Sequence, residues 1–362
     1  MNIRVELGSR SYDVVIVRDG GERLGAFASQ CTPGRKALLV ADENVSEHAE
    51  LVQNSLRAAG FSTSQMVLPP GEAHKSLQSV SHLYDRLAEI RADRKTLVVA
   101  VGGGVIGDTA GFAAATWNRG LPLLMVPTTL LAMVDSSVGG KVGVNHPRGK
   151  NLIGAFHQPV GVWIELAFLE TLPDREYHSA LAEVVKYGVA LDAEFFHYLE
   201  DHVQPILDRE PEVLTHIVAQ CCRLKAQVVQ ADEREETGLR AILNYGHTFA
   251  HAFETVGGYG TWLHGEAVAA GLACAGRLAH LRGLIEATLS QRQIRLLQAF
   301  GLPTHPSLTW DVEAILEVMQ RDKKNLDGRL RFVLPTQLGA ATLVDDVPPE
   351  QVRQLLQAES QR

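Results

Sequence analysis

The sequence predicts an α/β domain over residues 1–171, followed by an all-α-rich domain over residues 172–362. Two observations support this division. Before residue 172, short apolar runs alternate with stretches of helical periodicity, and each run is apolar throughout, as expected of parallel strands buried on both faces. After residue 172 the pattern is nearly all helical. No low-complexity linker separates the two parts.

The first predicted elements are two short strands, at residues 3–7 and 13–17, and the polar turn between them indicates a hairpin. The strands that follow are apolar runs bounded by turn residues, at residues 36–41, 65–68, 96–101, 121–126 and 160–165. The helical patterns among them cover residues 46–59, a segment that ends at residue 90, and residues 109–117. This alternation predicts a parallel sheet with helices on both sides.

A glycine-rich turn follows the strand at residues 96–101. Gly102, Gly104 and Gly107 match the pattern G-x-G-x-x-G between a strand and a helix. Missing side chains let a pyrophosphate approach the backbone there, at a helix N-terminus. The usual acidic residue about 20 positions further on is absent, so Asp42, at the end of an earlier strand, is the candidate for a ribose contact. The pattern predicts a Rossmann-like nucleotide-binding domain; the alternative is a purely structural turn.

Residues 127–151 are rich in hydroxyls, glycines and lysines. A solvated loop of turn residues is one interpretation. Against it, Asp135 stands beside apolar helix formers rather than in a charged surface run. Lys141, Lys150 and Asn151 recur within this short segment, and such groups can bind a phosphate or a carboxylate. We therefore predict a functional loop.

The predicted helices of the second domain carry several charged residues. One pattern, at residues 179–191, contains Glu183 and Lys186, and another, at residues 212–231, contains Lys225. The remaining elements are a segment with three histidines, helices at residues 280–300 and 312–319, and a strand-like run at residues 330–334.

The histidine segment predicts a metal site. His247 and His251 are four residues apart and share one face of a helix, and neutral imidazole is the commonest protein ligand of metals. His264 strengthens the prediction, although a histidine pair at this spacing is often unrelated to metals. An oxygen ligand could come from Glu183, Glu254 or Glu266, and spacing does not choose among them.

Composition excludes several classes of protein. The chain has 362 residues, a hydrophobic content of 46% and a formal net charge of −8, which opposes non-specific binding to nucleic acid. Its four cysteines form no C-x-x-C pair, which fits a reducing compartment. No signal-like segment and no membrane-spanning apolar run is present. We expect a cytoplasmic protein without a membrane partner.

A set of short motifs recurs in order along most of the chain. They are PGE at 70–72 with Lys75, GGGVIGD at 102–108, VPTTLLAMVDSSVGGKVGVNHPRGKNLIGAF at 126–156, LAEVVKYG at 181–188, ADERE at 231–235, LRAILNYGHTFAHAFE at 239–254, LHGEA at 263–267 and RDKK at 321–324. Each motif is modest alone, but the ordered set is specific, and it resembles the 3-dehydroquinate synthase family, within the sugar phosphate cyclases.

The resemblance implies a nucleotide-binding α/β domain, a helical metal-binding domain and a homodimer. It places the ligands of Zn²⁺ or Co²⁺ at Glu183, His247 and His264, so His251 becomes an active-site group instead of a ligand. The implied NAD contacts are Asp42, Glu72, Lys75, Gly103, Gly104, Asp108, Thr128, Thr129, Lys141, Lys150, Phe168 and Thr171. The implied catalytic and substrate positions are Asp135, Lys141, Asn151, Lys186, Lys225, Arg240, Asn244, His251 and Lys324, with Lys323 as an alternative to Lys324. Arg119 matches a residue that reaches the neighbouring subunit's site.

The implied substrate is an anionic sugar acid phosphate, 3-deoxy-D-arabino-heptulosonate 7-phosphate. The implied reaction combines transient oxidation by NAD, phosphate elimination, re-reduction and an intramolecular aldol step. Three alternatives stay open: a related cyclase that makes a valiolone or inosose ring, a metal-dependent alcohol dehydrogenase, and an inactive NAD-binding protein.

Overall fold

A computed structural model of the chain describes residues 1–258, 260–307, 310–321 and 330–359. It divides into two compact units. The first contains Met1–Leu172 and Leu214–Gln230, and the second contains Pro173–Val213 and Ala231–Arg362. The helical segment at 214–230 thus clusters with the α/β part of the chain, whereas the sequence-based division assigns it to the second domain. The domain limits at residues 171 and 172 stay a prediction.

Up to residue 172 the strands are β1 Asn2–Val5, β2 Tyr12–Val17, β3 Lys36–Asp42, β4 Ser62–Leu68, β5 Leu97–Gly102, β6 Leu123–Pro127, β7 Lys141–His146, β8 Gly149–Phe156 and β9 Gly161–Glu165. The helices of this part are α1 Leu24–Cys31, α2 Ser46–Ala58, α3 Leu77–Glu89 and α4 Gly104–Thr116.

After residue 172 the helices are α5 Asp174–Leu191, α6 Ala193–Asp201, α7 Val203–Leu207, α8 Pro211–Ala231, α9 His247–Gly257, α10 His264–Leu281, α11 Ala287–Ala299, α12 Val312–Arg321 and α13 Pro349–Glu359. The strands are β10 Leu330–Gln337 and β11 Ala340–Val347, which pair antiparallel. No helix among the described residues is both long and apolar enough to cross a bilayer.

The first unit contains a seven-stranded sheet in the order β1-β2-β9-β6-β5-β3-β4. The terminal pair β1–β2 is antiparallel, and the other pairs are parallel, which confirms the predicted hairpin and the predicted parallel sheet. Every residue of β5, β6 and β9 is buried. These strands are apolar throughout because helices cover both of their faces.

Chain order reverses direction between β3 and β5. From β3 the chain moves outward to β4, then returns to place β5 on the other side of β3. Ala41 of β3 is level with Val101 of β5, so Asp42 and Gly102 leave the sheet side by side. Such a reversal opens a crevice at the carboxyl ends of the strands, where ligands of open α/β sheets bind.

Two predictions for the first unit are wrong in detail. The helix expected at residues 109–117 begins at Gly104, because the glycine turn is already helical after Gly103. The loop expected at residues 127–151 is mostly regular: it contains a π-helical turn, Ala132–Ser136, and the β7–β8 hairpin. The glycines and polar residues suggested irregular backbone, but Val142 and Val144 of β7 are buried and pair with β8.

Two features of the second unit also differ from the prediction. The helix expected at residues 280–300 is interrupted, because α10 ends at Leu281 and Gly283 adopts φ +71° before α11 begins. A left-handed residue of this kind terminates a helix. The strand-like run at residues 330–334 is confirmed as part of β10. Its partner β11 lies in a segment without a clear apolar alternation.

Candidate functional site

The carboxyl ends of β3 and β5 place the nucleotide-binding candidates together. Gly103 precedes α4, and Gly104 is its first residue. A Cβ on Gly103 would lie 3.1 Å from Thr129 Cγ2, and one on Gly104 would lie 3.3 Å from Ser136 Oγ. Absence of side chains therefore leaves the backbone N–H groups at the start of α4 accessible to an anion, as in other phosphate-binding helix N-termini.

Asp42 stands beside this turn at the end of β3. Its carboxylate accepts a hydrogen bond from the Asn44 backbone N–H at 2.9 Å. Partial burial raises the pKa of Asp42, against the lowering effect of the backbone hydrogen bonds. The position and the acceptor oxygens suit a ribose hydroxyl, as the sequence predicts.

Thr128 and Thr129 follow β6 at the same edge of the sheet. The Thr128 backbone N–H donates to the Gly102 carbonyl at 3.0 Å, which ties the two strand ends together. Its hydroxyl is buried and has no hydrogen-bond partner within the described part of the chain. A buried polar atom without a partner is unfavourable unless a ligand or a water forms a hydrogen bond with it. The Thr128 hydroxyl is therefore suited to bind a cofactor.

His48, which the sequence did not single out, supports two of the predicted NAD residues. Its Nε2 lies 2.7 Å from Thr171 Oγ1, and its ring stacks on Phe168 with centroids 4.2 Å apart. Burial lowers the pKa of His48. The only sequence signal was its place two residues into α2, the helix that follows Asp42.

A hydrogen-bonded network joins four predicted site residues through Asn145. Lys75 Nζ lies 2.6 Å from Asp108 Oδ2 and 2.5 Å from Asn151 Oδ1. Asn145 donates through Nδ2 to Glu72 Oε1 at 2.7 Å and accepts from the Asn151 N–H at 2.9 Å. Burial raises the pKa of Asp108, and the charge of Lys75 opposes that effect.

Asn145 lies within the segment predicted to be functional, but no local signal separates it from its polar neighbours. Asn151 adopts φ +55°, a left-handed conformation that an asparagine tolerates. The network fixes that conformation, since the Asn151 N–H and its side chain both have partners. The hairpin thus presents Asn151 from a defined backbone.

Lys225 and Asp135 form a second charged pair in this unit. Lys225 Nζ, which is buried, donates to Asp135 Oδ1 at 2.7 Å and to the Asp135 carbonyl at 2.6 Å. The π-helical turn of residues 132–136 presents both acceptors toward α8. Lys141 is exposed and Lys150 half-buried, both on the β7–β8 hairpin. Arg119 is exposed at φ +66°.

The second unit holds the candidate metal centre. Among the described residues, Glu183, His247 and His264 each offer a ligand atom, and these atoms all lie within 4.8 Å of one another. Glu183 Oε1 lies 3.3 Å from His247 Nε2 and 3.5 Å from His264 Nε2. Two imidazoles and one carboxylate are a known ligand set for catalytic zinc, with a position left for water or substrate.

Helix packing brings these three residues together. Glu183 lies in the middle of α5, whereas His247 and His264 are the first residues of α9 and α10. A Cβ on Gly265 would lie 1.8 Å from the Ser179 carbonyl oxygen, so only glycine allows α10 to approach α5 this closely. That approach places His264 within reach of Glu183.

The charge balance of the cluster favours an ionised carboxylate. Glu183 is fully buried and forms an ion pair with Lys186, one turn along α5. Burial raises the pKa of Glu183, but the charge of Lys186 and the two histidines outweigh burial, and the pKa lies well below its ordinary value. Within the described chain, neither Glu183 oxygen has a well-oriented hydrogen bond. Because Oε2 pairs with Lys186 and Oε1 faces both histidines, Oε1 is the oxygen placed to bind a metal ion.

The other two candidate oxygen ligands have different partners. Glu266 accepts from the Leu263 N–H at 2.8 Å and pairs with Arg175 at 2.7 Å, so it caps α10. Glu254 is buried, and its Oε1 lies 3.4 Å from Nδ1 of His264, on the side away from Glu183. His251 is exposed and its ring lies edge-on to His247, 5.7 Å away, outside the ligand cluster.

Arg240 and Asn244 precede His247 in a 3₁₀ segment, Leu239–Asn244. Arg240 is buried, and its guanidinium donates to the Glu233 carbonyl at 2.5 Å. Asp232 accepts from the backbone N–H of Arg240 at 3.0 Å and from that of Glu236 at 2.8 Å. These bonds lower the pKa of Asp232 to about 2. Lys323 and Lys324 lie outside the described residues.

Comparison with known proteins identifies the family. The family model described as "3-dehydroquinate synthase N-terminal" matches residues 65–179, and "3-dehydroquinate synthase C-terminal" matches residues 180–325. A 3-dehydroquinate synthase from Halorhodospira halophila is 51% identical to the chain over 346 residues, and the alignment covers 96% of each protein.

Solved structures agree with this placement. A 2-epi-5-epi-valiolone synthase from Streptomyces hygroscopicus subsp. jinggangensis, with NAD⁺ and Zn²⁺ bound, is 28% identical, has a TM-score of 0.88 and aligns over 99% of this chain and 98% of its own. A 2-deoxy-scyllo-inosose synthase complexed with carbaglucose-6-phosphate, NAD⁺ and Co²⁺ is 25% identical, with a TM-score of 0.88 over 99% and 100% of the two chains. The chain has the fold of these cyclases, and by its sequence it belongs to the 3-dehydroquinate synthase family.

Proposed function

We propose that the chain converts 3-deoxy-D-arabino-heptulosonate 7-phosphate into 3-dehydroquinate and phosphate, the reaction for which its family is named. It is a carbon–oxygen lyase acting on a phosphate, in the shikimate pathway to chorismate and the aromatic amino acids. The cluster of Glu183, His247 and His264 carries the proposal, because it supplies a metal site inside the region that the family models match.

We propose NAD and a divalent metal, zinc or cobalt, as the cofactors. When bound, the metal would act as a Lewis acid on a substrate hydroxyl, and NAD would accept and return a hydride. The cluster in the second unit would hold the metal. The residues that would hold NAD lie in the first unit: Asp42, Glu72, Lys75, Gly103, Gly104, Asp108, Thr128, Thr129, Lys141, Lys150, Phe168 and Thr171.

The basic residues are proposed to bind the substrate's phosphate and carboxylate. Charge-assisted hydrogen bonds to such groups are the strong ones. Lys225 is held by Asp135 at 2.7 Å, and Arg240 by the Glu233 carbonyl, so both cations are positioned before substrate arrives. Side chains that are already positioned lose less conformational entropy when the substrate binds. Lys141, Asn151, Asn244 and Lys324 are proposed to complete the substrate contacts.

Two residues of the second unit are proposed to handle protons. Lys186 stays paired with Glu183, so its ammonium can donate a hydrogen bond to a substrate oxygen while the carboxylate stays ionised. His251 is exposed beside His247, and an imidazole nitrogen there can exchange a proton with a substrate hydroxyl.

The alternatives predict different products. Identity to the two cyclase structures, at 28% and 25%, is well below the 51% to a 3-dehydroquinate synthase. The valiolone or inosose reading therefore has weaker support. A simple alcohol dehydrogenase would accumulate NADH, whereas the proposed reaction returns the hydride and leaves NAD unchanged.

A coupled assay tests the proposal. Purified protein would be incubated with the heptulosonate phosphate, metal and NAD, while phosphate, dehydroquinate and NADH are measured together. We expect phosphate and dehydroquinate in equal amounts, no net NADH, and loss of both products when NAD or the metal is withheld. Net formation of NADH would support the alcohol dehydrogenase instead. Release of phosphate together with another ring product would support a different cyclase. Absence of any turnover would support the inactive NAD-binding protein.

We also propose a cytoplasmic homodimer in which Arg119 reaches the partner's site. Arg119 is exposed, and Asn118, Arg119 and Gly120 all adopt positive φ. Such a strained turn is typical of a functional position.

A further inference from the structure

Glu254 contacts the second nitrogen of a proposed metal ligand. The Nε2 atom of His264 lies 3.5 Å from Glu183 Oε1, whereas its Nδ1 lies 3.4 Å from Glu254 Oε1. The imidazole ring thus has a carboxylate on each side. One carboxylate belongs to the ligand cluster, and the other belongs to α9.

This arrangement determines which imidazole nitrogen can face a metal. A ligating nitrogen must present its lone pair, so the other nitrogen carries the proton and donates it. The same argument applies to His247. Its Nδ1 lies 3.2 Å from the Tyr245 carbonyl oxygen, which can only accept a hydrogen bond. With a metal on Nε2, the Nδ1 atom of each histidine would be the donor.

The two orienting acceptors differ in charge. His247 is oriented by a neutral carbonyl, whereas His264 is oriented by a buried carboxylate on α9, seven residues beyond His247. Only 6% of Glu254 is exposed.

We propose that Glu254 is a positioning residue for the metal centre: it fixes the tautomer and ring orientation of His264 and makes its Nε2 a stronger ligand. The inference rests on the proposed function, since it takes His264 as a metal ligand. Carboxylate–histidine–metal arrangements act in this way in other proteins, and loss of the outer carboxylate weakens metal binding about 10–100-fold.

The test measures metal affinity directly. Metal-free protein would be titrated with Zn²⁺ and with Co²⁺ against a chromophoric chelator, and the Co²⁺ absorption spectrum would be recorded. We expect Glu254→Ala to bind metal about 10–100-fold more weakly. Glu254→Gln keeps an acceptor oxygen but loses the charge, so we expect an intermediate affinity. Circular dichroism would establish whether each variant is folded. If the alanine variant is unfolded, the metal affinity of the glutamine variant tests the positioning role.

Glu359 offers a matched control. It is also buried, and it also contacts a histidine, with Oε2 2.8 Å from His305 Nδ1 and 2.7 Å from Arg277. Arg277 lies thirteen residues beyond His264 on α10, remote from the cluster. We expect Glu359→Gln to bind metal with unchanged affinity.

The outcomes separate this inference from the proposed function. If the parent protein binds no metal, the proposed metal centre itself fails. If the parent binds metal and the Glu254 variants bind it equally well, only the positioning role fails. Equal weakening by Glu359→Gln would also overturn that role, because the effect would then be a general loss of stability.

Discussion

At the scale of single residues, the chemistry depends on charged groups that the fold has already paired. Glu183 is fully buried, and breaking a buried ion pair leaves a charge uncompensated, which is strongly unfavourable. Lys186, His247 and His264 surround it, so its carboxylate stays ionised. If Glu183 also binds a metal, as proposed, the same side chain serves both the helix packing and the metal site, which leaves it little freedom to change.

His264 and His251 should respond differently to truncation. We expect His264→Ala to lose metal and activity while it stays folded, because Glu183 and His247 alone offer too few ligands. We expect His251→Ala to keep its metal and lose turnover about 10²–10⁴-fold, the usual size of an acid–base contribution. Metal content by mass spectrometry and kcat for each variant check both statements. Full metal stoichiometry in His264→Ala, or metal loss in His251→Ala, would contradict the ligand assignment.

Asp232 should make stability depend on pH in a defined window. Its pKa is lowered to about 2, first by the Arg240 N–H, so its contribution is complete above its ordinary value and is lost as pH falls through about 2. We expect Asp232→Ala to lower the urea midpoint at neutral pH and to raise the KM for substrate, because Arg240 loses its anchor. The difference in urea midpoint between the variant and the parent protein should become smaller as pH falls from about 4 toward 2. If this difference in urea midpoint stays constant over that range, the charge of the Asp232 carboxylate does not contribute to stability.

At the scale of elements, the β7–β8 hairpin is the feature that residue patterns describe least well. The sequence predicts a loop there, yet its strands pair from Lys141–Phe156 to His146–Gly149, with a register shift between Val144 and His146. Asn145 connects it to the segment of Glu72 and Lys75 by a side-chain and a backbone hydrogen bond. The hairpin therefore carries Lys141, Lys150 and Asn151 on a fixed frame.

Removal of the Asn145 side chain should weaken NAD binding. Asn145→Ala leaves Glu72 Oε1 and the Asn151 N–H without this partner, and a hydrogen bond to a charged group is worth about 1.5–3 kcal/mol. We expect the Kd for NAD, measured by calorimetry, to rise about tenfold or more. His146→Ala is the control, since His146 is exposed and contacts only the hairpin turn through Arg148 among the bonds described. If the Kd for NAD is unchanged, or if it rises equally in the control variant, Asn145 does not contribute to NAD binding.

At the scale of the whole molecule, the proposed cofactors divide between the two units. Several of the proposed nucleotide-binding residues lie at the carboxyl ends of β3, β5 and β6, and the candidate metal cluster lies on α5, α9 and α10. Helix α8 contributes Lys225 to the first unit although both neighbouring segments belong to the second. The chain therefore passes between the units more than once.

The proposed role of Arg119 predicts complementation between subunits. Arg119→Ala and Lys141→Ala should each be nearly inactive alone. In a mixed dimer, one of the two sites would combine an intact Lys141 with the partner's intact Arg119, so the purified hybrid should have about half of the parent activity. Co-expression with two affinity tags and an activity assay on the purified hybrid check this. If the hybrid stays inactive, Arg119 acts within its own subunit, and a monomer in sedimentation analysis would exclude the dimer.

Much of the fold follows from short-range patterns. Most of the parallel strands follow from apolar runs, although β4 begins with four polar residues. Helical periodicity predicts α8 to within one residue and begins α5 five residues too late. Periodicity also drew attention to His247 and His251. It grouped the wrong partner with His247, since a repeat of four residues reports only a shared helix face.

Local sequence patterns are sufficient to predict the seven strands of the main sheet, the glycine turn after β5 and, through ordered motifs, the family. Tertiary structure decided which carboxylate joins the histidines: Glu183 and His264 approach because Gly265 lets α10 pack against α5, and Glu266 caps a helix instead. It also decided that Asn145 holds Glu72 and Asn151. Local patterns reflect interactions within one turn or one strand, whereas these contacts join segments far apart in the chain, where only packing determines which side chains meet.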